Sequence, residues 1–427
     1  MPTSQRMIVN SMRNQWLFVV ALWCAIGWGW GNVAVSQESP AGNEEVARVM
    51  REFEGRGDLG DGSEPATPAE TIARLKVPDD LQMELVAGEP DVTQPIHISF
   101  DFKGRMWVVQ YRQYPFPAGL KVVRYDQHLR AVFDKMPVAP PNHVAGADCV
   151  TVWEDTNGDG AYDSHRDVIQ GLNIATSVAV STSGIWVMNP PYLLHYPDAD
   201  QDALVDGDPT VHLTGFGLED THAVANSLRL GPDGWLYGAN GSTTTASIRA
   251  LLSDQPDQAT SFQGQCIWRY HPESHRFEIF AEGGGNTFGL EIEESGLTFS
   301  GTNHGSTRGM FYPQGSYGTK SWGKHGPLTN PHAYGFFQHM RSEGDSRRFT
   351  QALVVYQDNV LPPRYRGQSI AINPLQRCVI SSELTEDTST FRTSDFETTV
   401  ETDDRWFRPV AIAVGPDGAV YFADWYD

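Results

Sequence analysis

The sequence predicts an all-β fold, a six-bladed β-propeller, on three observations. A strand–turn–strand unit recurs six times, the units fill the chain from about residue 78 to its end, and helix signals are confined to the part before Pro78. The clearest copies are Phe100-Asp101-Phe102-Lys103-Gly104-Arg105-Met106-Trp107, Gly231-Pro232-Asp233-Gly234-Trp235-Leu236-Tyr237 and Gly415-Pro416-Asp417-Gly418-Ala419-Val420-Tyr421-Phe422. Two more run from Ser181 to Val187 and from Glu293 to Phe299, and a copy without the glycine runs from Ile370 to Ile380. The turn glycines, at 104, 184, 234, 296 and 418, supply the positive φ that tight hairpins need. A β-sandwich would also be strand-rich, but it would not repeat one signature six times.

Before the repeats come three short regions. Arg6 and Arg13 precede an uncharged run from Trp16 to Gly31 and the small-residue triplet Ala34-Val35-Ser36. That is the layout of a secretory signal over residues 1–36, cleaved after Ser36, and it places the mature chain in the periplasm or outside the cell. The alternative is a membrane anchor, which would leave the protein membrane-associated, but the uncharged run is shorter than the ~20 residues of a spanning helix. Bulky Trp23 before Cys24 argues against lipid attachment there. Residues 37–66 read as a polar linker in which Glu44 to Phe53 forms a short helix. Thr67-Pro68-Ala69-Glu70 is a capping box with proline at the first helical position, and it opens a helix that ends before Pro78. The propeller then occupies the rest of 67–427 and stops part-way through its sixth blade; Leu81 to Val86 is the candidate closing outer strand, with a third strand still missing.

Composition narrows the partners. The 427 residues carry a formal charge of −22, which disfavours nucleic acid or an anionic membrane surface as a main partner. Cys149, Cys266 and Cys378 allow at most one disulfide, and the chain has no CxxCH haem motif.

In a propeller, residues just before a blade's first strand, or just after its second, face the channel mouth. Those positions hold His97, Tyr111, Arg112, Asn189, His222, Asn240, Asn286, Asn303, His304, Arg308, Arg408 and Asp424. Two long inserts, 112–147 and 302–332, should wall the same mouth. On the opposite face, Asp155, Asn157, Asp159 and Asp163 stand at loop positions one, three, five and nine with Gly160 at six, a spacing that suits structural calcium. Position twelve is Arg166 in place of the glutamate of a full calcium loop. Asp198, Asp200, Asp202, Asp206 and Asp208 repeat the idea, with Ala203 in place of the glycine.

Several segments resemble a known family. Val77-Pro78, Leu85-Val86-Ala87-Gly88-Glu89-Pro90, Trp153 to Gly160, Asn226 to Gly241, Gly285-Asn286-Thr287-Phe288-Gly289 and Gly323-Lys324-His325-Gly326 are similar to the N-terminal propellers of planctomycete and verrucomicrobial exported proteins named membrane-bound dehydrogenases. More distantly the chain resembles soluble quinoprotein glucose and sorbosone dehydrogenases. That resemblance implies oxidation of a sugar or similar alcohol at the channel mouth, with pyrroloquinoline quinone as acceptor. It implies His222 as the general base, suited by imidazole's pKa, and Asn286 and Gly289 as cofactor contacts. The family pattern has a basic residue where this chain has Gly285 and a glutamine where it has Phe288, so Arg308, Lys324 or Arg408 would have to supply the cationic partner. A separate cytochrome would accept the electrons. The other reading is a non-catalytic propeller that grips a glycan or protein partner with the same face. No G-x-S-x-G, paired-carboxylate or dinucleotide motif supports hydrolysis or a nicotinamide site.

Overall fold

A computed structural model describes residues 62–128, 130–242, 244–302, 307–320, 326–347 and 352–425, and the backbone of 6–8. The described chain is nearly all-β. Its one α-helix, Pro68–Arg74, starts at the expected capping box: Glu70 N–H donates to Thr67 Oγ1, and Thr67 N–H donates to the Glu70 carboxylate. Apart from the backbone of 6–8, which the sixth sheet takes up from within the expected signal, the signal lies outside the described residues, as do most of the linker and the Glu44–Phe53 helix.

The strands form six sheets of three to six strands and one two-stranded ribbon. The inner strands of the six sheets are Pro95–Phe100, Ser177–Ser181, Ala225–Leu230, Phe288–Ile292, Leu353–Tyr356 and Pro409–Val414. Each touches the next, and the last touches the first, so the circle is closed. Between each pair of neighbouring sheets lies one apolar layer. Trp107 and Val150 of the first sheet meet Val178 and Ile185 of the second. Trp186 meets Leu228 and Trp268, and Ala239 meets Leu290 and Met310. Phe299 meets Leu353 and Ile380, Ile370 meets Val420 and Phe422, and Tyr421 meets Met106 and Val108. Because both faces of a sheet are covered, strands such as Met106–Gln110 are buried at every residue.

The repeated turn has a physical basis beyond its glycine. Asp101 accepts from the backbone N–H of Lys103 and Arg105, and its second oxygen accepts from Trp107 Nε1 at 2.9 Å. Asp233 accepts from Tyr237 O–H at 2.8 Å, and Asp417 accepts from Tyr421 O–H at 3.0 Å. One carboxylate thus closes the turn and anchors the aromatic of the following strand. Ser181 takes this role for Trp186, and Glu293 takes the turn-closing part alone.

Four features depart from the sequence reading. Ile370 to Ile380 is the hairpin between the second and third strands of its sheet, closed by Asn373; the first turn of that sheet is the longer 357–367 connection, which lacks the short signature. The 302–332 insert is not one loop. Met310–Phe311 pairs within the fourth sheet, and Ser316–Lys320 crosses to run parallel with Arg276–Gly284 of the third. Lys320 is held there by the buried Glu282 carboxylate, which also accepts from Asn330 N–H. An unanticipated hairpin, Thr245–Ala250 with Ala259–Gln263, leaves the third sheet to extend the edge of the second. In the sixth sheet Gln82–Glu84 takes the expected outer place, and Arg6–Ile8 lies between it and Val420–Asp424, parallel to both.

Packing between strands is tight at Gly238, which pairs with Trp268. A Cβ there would come within 2.2 Å of the buried indole. Gly238→Ala is expected to cost about 1–3 kcal/mol through overpacking, read as a lower denaturation midpoint with an unchanged slope. An unaltered midpoint would contradict this packing.

Candidate active site at the channel mouth

The loop between Thr210–Phe216 and Ala225–Leu230 carries Asp220, Thr221 and His222. Asp220 folds the loop on itself. One carboxylate oxygen accepts from His222 backbone N–H at 3.1 Å and lies 3.2 Å from His222 Nδ1. The imidazole is 64% exposed, so it is held by its partners and open to solvent. A carboxylate at Nδ1 selects the Nδ1–H tautomer and leaves Nε2 as the acceptor. Nε2 is hydrogen-bonded to the hydroxyl of Tyr114.

Tyr114 arrives on the 112–147 insert, which is tied to the same loop on both sides. Tyr111 O–H donates to Thr221 C=O at 2.9 Å, and Thr221 O–H donates to Pro115 C=O at 2.9 Å. Trp425, just past the second strand of the sixth sheet, packs edge-on to Tyr114 with ring centres 5.2 Å apart. Its backbone N–H donates to Arg408 C=O, and Arg408 N–H donates to Asp424. The His222 loop, the insert from the first sheet and the end of the sixth sheet therefore meet through Tyr114.

Below, the six inner strands enclose a cavity of about 620 Å³. Its lining mixes aliphatic side chains and backbone with polar groups, among them His97, Arg229, Glu291, Glu293, Glu294 and Asp358. Arg229 Nη1 donates to the Glu291 carboxylate at 2.6 Å. Burial raises the Glu291 pKa in spite of that guanidinium. His97 lies in this cavity and not at the mouth, bonded through Nε2 to Val178 C=O at 3.1 Å. Burial, reinforced by the Arg229 charge, lowers its pKa to about 4. His222 does not line this cavity.

The other mouth positions serve mainly as caps. Asn189 accepts from Asn173 N–H, Asn240 donates to Thr244, and Asn286 accepts from Ser242 N–H at 2.6 Å. Asp148, at the start of the third strand of the first sheet, accepts from Gln113 and Ala175 N–H, and burial pushes its pKa up to about 7. Asp424 is raised well above the usual carboxylate range, again by burial. Gly289 has φ +63, and a Cβ there would lie 2.3 Å from Ala352, so the glycine serves inter-sheet packing. Contrary to the expectation of a cation open to the mouth, Arg308 is wholly buried, with Nε and Nη2 on the Asp395 carboxylate and Nη2 also on Asp345 C=O. Arg408 is at the mouth, with Nη1 on the carbonyls of Arg405 and Phe407. Lys324, Asn303 and His304 lie outside the described residues.

Both acidic loops occupy connections between third and fourth strands, as expected. In the first, Asp155 accepts from Gly158 and Gly160 N–H, Asn157 accepts from Asp159 N–H, Asp159 from Ala161 N–H, and Asp163 from Thr156. Among the described residues, the group of three possible metal ligands whose atoms lie within 4.8 Å of one another is Asp198, Asp200 and Asp206 of the second loop, not the carboxylates of the first. Ala203 takes the glycine's place there with φ +63.

Residues 67–427 match the family described as "Domain of unknown function (DUF7133)". The chain belongs to that family. No curated protein matches it. Among solved structures it is similar to the holo form of the pyranose dehydrogenase PQQ domain from Coprinopsis cinerea, at 11% identity and a TM-score of 0.51, covering 82% of this chain and 95% of that one. The PQQ-bound aldose sugar dehydrogenase from Streptomyces coelicolor is also similar, at 11% identity and a TM-score of 0.47, covering 82% and 91%. At such identities the likeness shows the fold, a β-propeller of the kind used by sugar dehydrogenases, and not the chemistry. Among the described residues of this DUF7133 domain no helix is long and apolar enough to cross a membrane.

The described residues do not assemble a cradle for an anionic quinone. Asn286 has its oxygen on Ser242, Gly289 is packed against Ala352, and Arg308 is paired elsewhere. Arg408 alone of the four described cofactor positions brings a cation to the mouth.

His97 gives a pH prediction. Folded, it stays neutral down to about pH 4; unfolded, it protonates near 6.5. Its contribution to stability is complete above about 6.5 and is lost as the pH falls toward 4. His97→Asn, which can keep a donor near Val178 C=O, should flatten the acid loss of stability between those values. An identical pH profile for the two proteins would show that His97 does not titrate this way.

Proposed function

We propose that the six sheets act as the six blades of an exported propeller whose mouth binds a hydroxyl-bearing small molecule, a sugar or similar alcohol. In this reading the Asp220–His222 pair accepts a proton from the bound hydroxyl, the proton half of a dehydrogenation. The observation that carries it is the exposed imidazole fixed by a carboxylate at Nδ1, with Tyr114 edge-on to it and Trp425 packed in turn against Tyr114. Asp220 orients the ring and stabilises the imidazolium once it forms. The faces of aromatic rings beside it give a sugar's C–H groups an apolar surface to lie against. Likeness in fold to a pyranose dehydrogenase domain supports the substrate class by analogy.

A quinone-type hydride acceptor is the first to test, because the relative's domain holds PQQ. The poor match of Asn286, Gly289 and Arg308 to a quinone cradle favours a second reading, a non-catalytic propeller that binds a glycan or protein partner at the same mouth. Titration of the folded chain with pyrroloquinoline quinone, coupled to dye-linked oxidation of a sugar panel, separates the two. In the dehydrogenase reading, His222→Ala lowers turnover by at least about 100-fold with ligand affinity nearly intact. Equal turnover in wild type and variant would remove His222 from the mechanism. The dehydrogenase would then need a separate electron acceptor such as a cytochrome.

Calcium in the 155–163 loop forms a separate part of the reading, with Asp155, Asn157, Asp159 and Asp163 as ligands that would turn outward from their backbone partners. Asp159→Ala is then expected to lower the melting temperature in calcium and to leave it unchanged in chelator. Equal falls in both would count against a bound ion.

A further inference from the structure

The Tyr114 hydroxyl sits on the one atom of His222 that the proposed chemistry needs. Asp220 holds the Nδ1 side of the ring, so the Nε2 lone pair is the position from which His222 can accept a ligand's proton. That lone pair already receives the Tyr114 O–H. The contact is built from several directions. Tyr114 meets the imidazole edge-on with ring centres 5.0 Å apart and an interplanar angle of 87°, and Tyr111 flanks it at 5.5 Å. The Thr221–Pro115 bond fixes the insert beside the histidine loop. The two partners lie 108 residues apart in the chain, so the contact is a product of the fold and not of local sequence.

We propose that Tyr114 is a stand-in for the ligand: its hydroxyl occupies His222 Nε2 in the free protein, and a hydroxyl-bearing ligand binds by displacing it. This inference rests on the reading of the mouth as a ligand site. Its physical logic is an exchange of like for like. A phenol O–H and an alcohol O–H donate to the same lone pair, so the exchange conserves the number of hydrogen bonds, and discrimination falls to whatever else the ligand touches. Ligands without a hydroxyl leave the Tyr114 bond in place and gain nothing from His222. Tyr114 thereby acts as a specificity-determining residue. The displaced phenol ring, beside Trp425, is also placed to form one wall of the opened site.

The test needs neither substrate nor cofactor. Diethylpyrocarbonate acylates neutral imidazole at a nitrogen lone pair, so a hydrogen bond at Nε2 should slow its reaction. The modification rate of His222, followed by mass mapping of its peptide, is expected to rise roughly three- to tenfold in Tyr114→Phe, the equilibrium weight of about one net hydrogen bond. His222→Gln identifies the signal. A rate unchanged in a Tyr114→Phe protein of wild-type melting temperature overturns the proposal. The second measurement is made on the wild-type chain, so it decides the matter even if the variant does not fold. In ¹⁵N-histidine spectra His222 is expected as the Nδ1–H tautomer with Nε2 accepting, and an Nε2–H tautomer would overturn the proposal equally. Neither readout depends on turnover. A failure here is therefore distinct from a failure of the dehydrogenase reading, which the quinone and sugar titration decides.

Discussion

Everything in this chain depends on the apolar layers between neighbouring sheets. Each sheet must be covered on both faces, and a ring is the arrangement in which every sheet has two neighbours. The six layers run from Trp107 and Val178 round to Tyr421 and Met106, so the last sheet is closed onto the first. This constraint makes the second strands continuously buried and forces their polar groups inward to local partners. The turn carboxylates Asp101, Asp233 and Asp417 are one consequence, since each satisfies backbone donors while fixing an aromatic of the layer. With the layers filled by apolar side chains, polar groups collect on the inner strands and at the mouth, which is where His97, Arg229, Glu291 and His222 are found.

What the sequence made legible was what is decided locally. Gly104, Gly184, Gly234, Gly296 and Gly418 all have positive φ, and each lies in the first turn of its sheet. The capping box at Thr67 is equally local. Pairings made across long separations left no such signal. The Thr245–Ala250 hairpin joins the edge of another sheet, Ser316–Lys320 crosses to the third sheet, and the fifth sheet's first turn hides in an eleven-residue connection from 357 to 367. A period-two pattern gives a strand its buried face but does not name its neighbour.

The site divides in the same way. His222 could be placed from its position before an inner strand, and Asp220 could have been found two residues earlier by the short Asp-Thr-His spacing. Tyr114 could not, because its contact with His222 spans 108 residues. Arg308 was assigned to the mouth on position alone. Its partner Asp395 stands 87 residues further along, and a fully buried guanidinium goes where a carboxylate waits for it. Fold likeness to sugar dehydrogenase domains therefore carries the architecture, while the residues around His222 differ from what the distant resemblance implied.

The central claim is that the mouth around His222 is a ligand site for hydroxyl-bearing molecules. The most direct measurement is a titration of the ¹⁵N-histidine-labelled chain with a panel of mono- and oligosaccharides and simple polyols, following the two ring nitrogens of His222. At least one ligand is expected to shift Nε2 saturably, while the buried His212 stays still. A folded chain whose His222 nitrogens move with no member of the panel would contradict it.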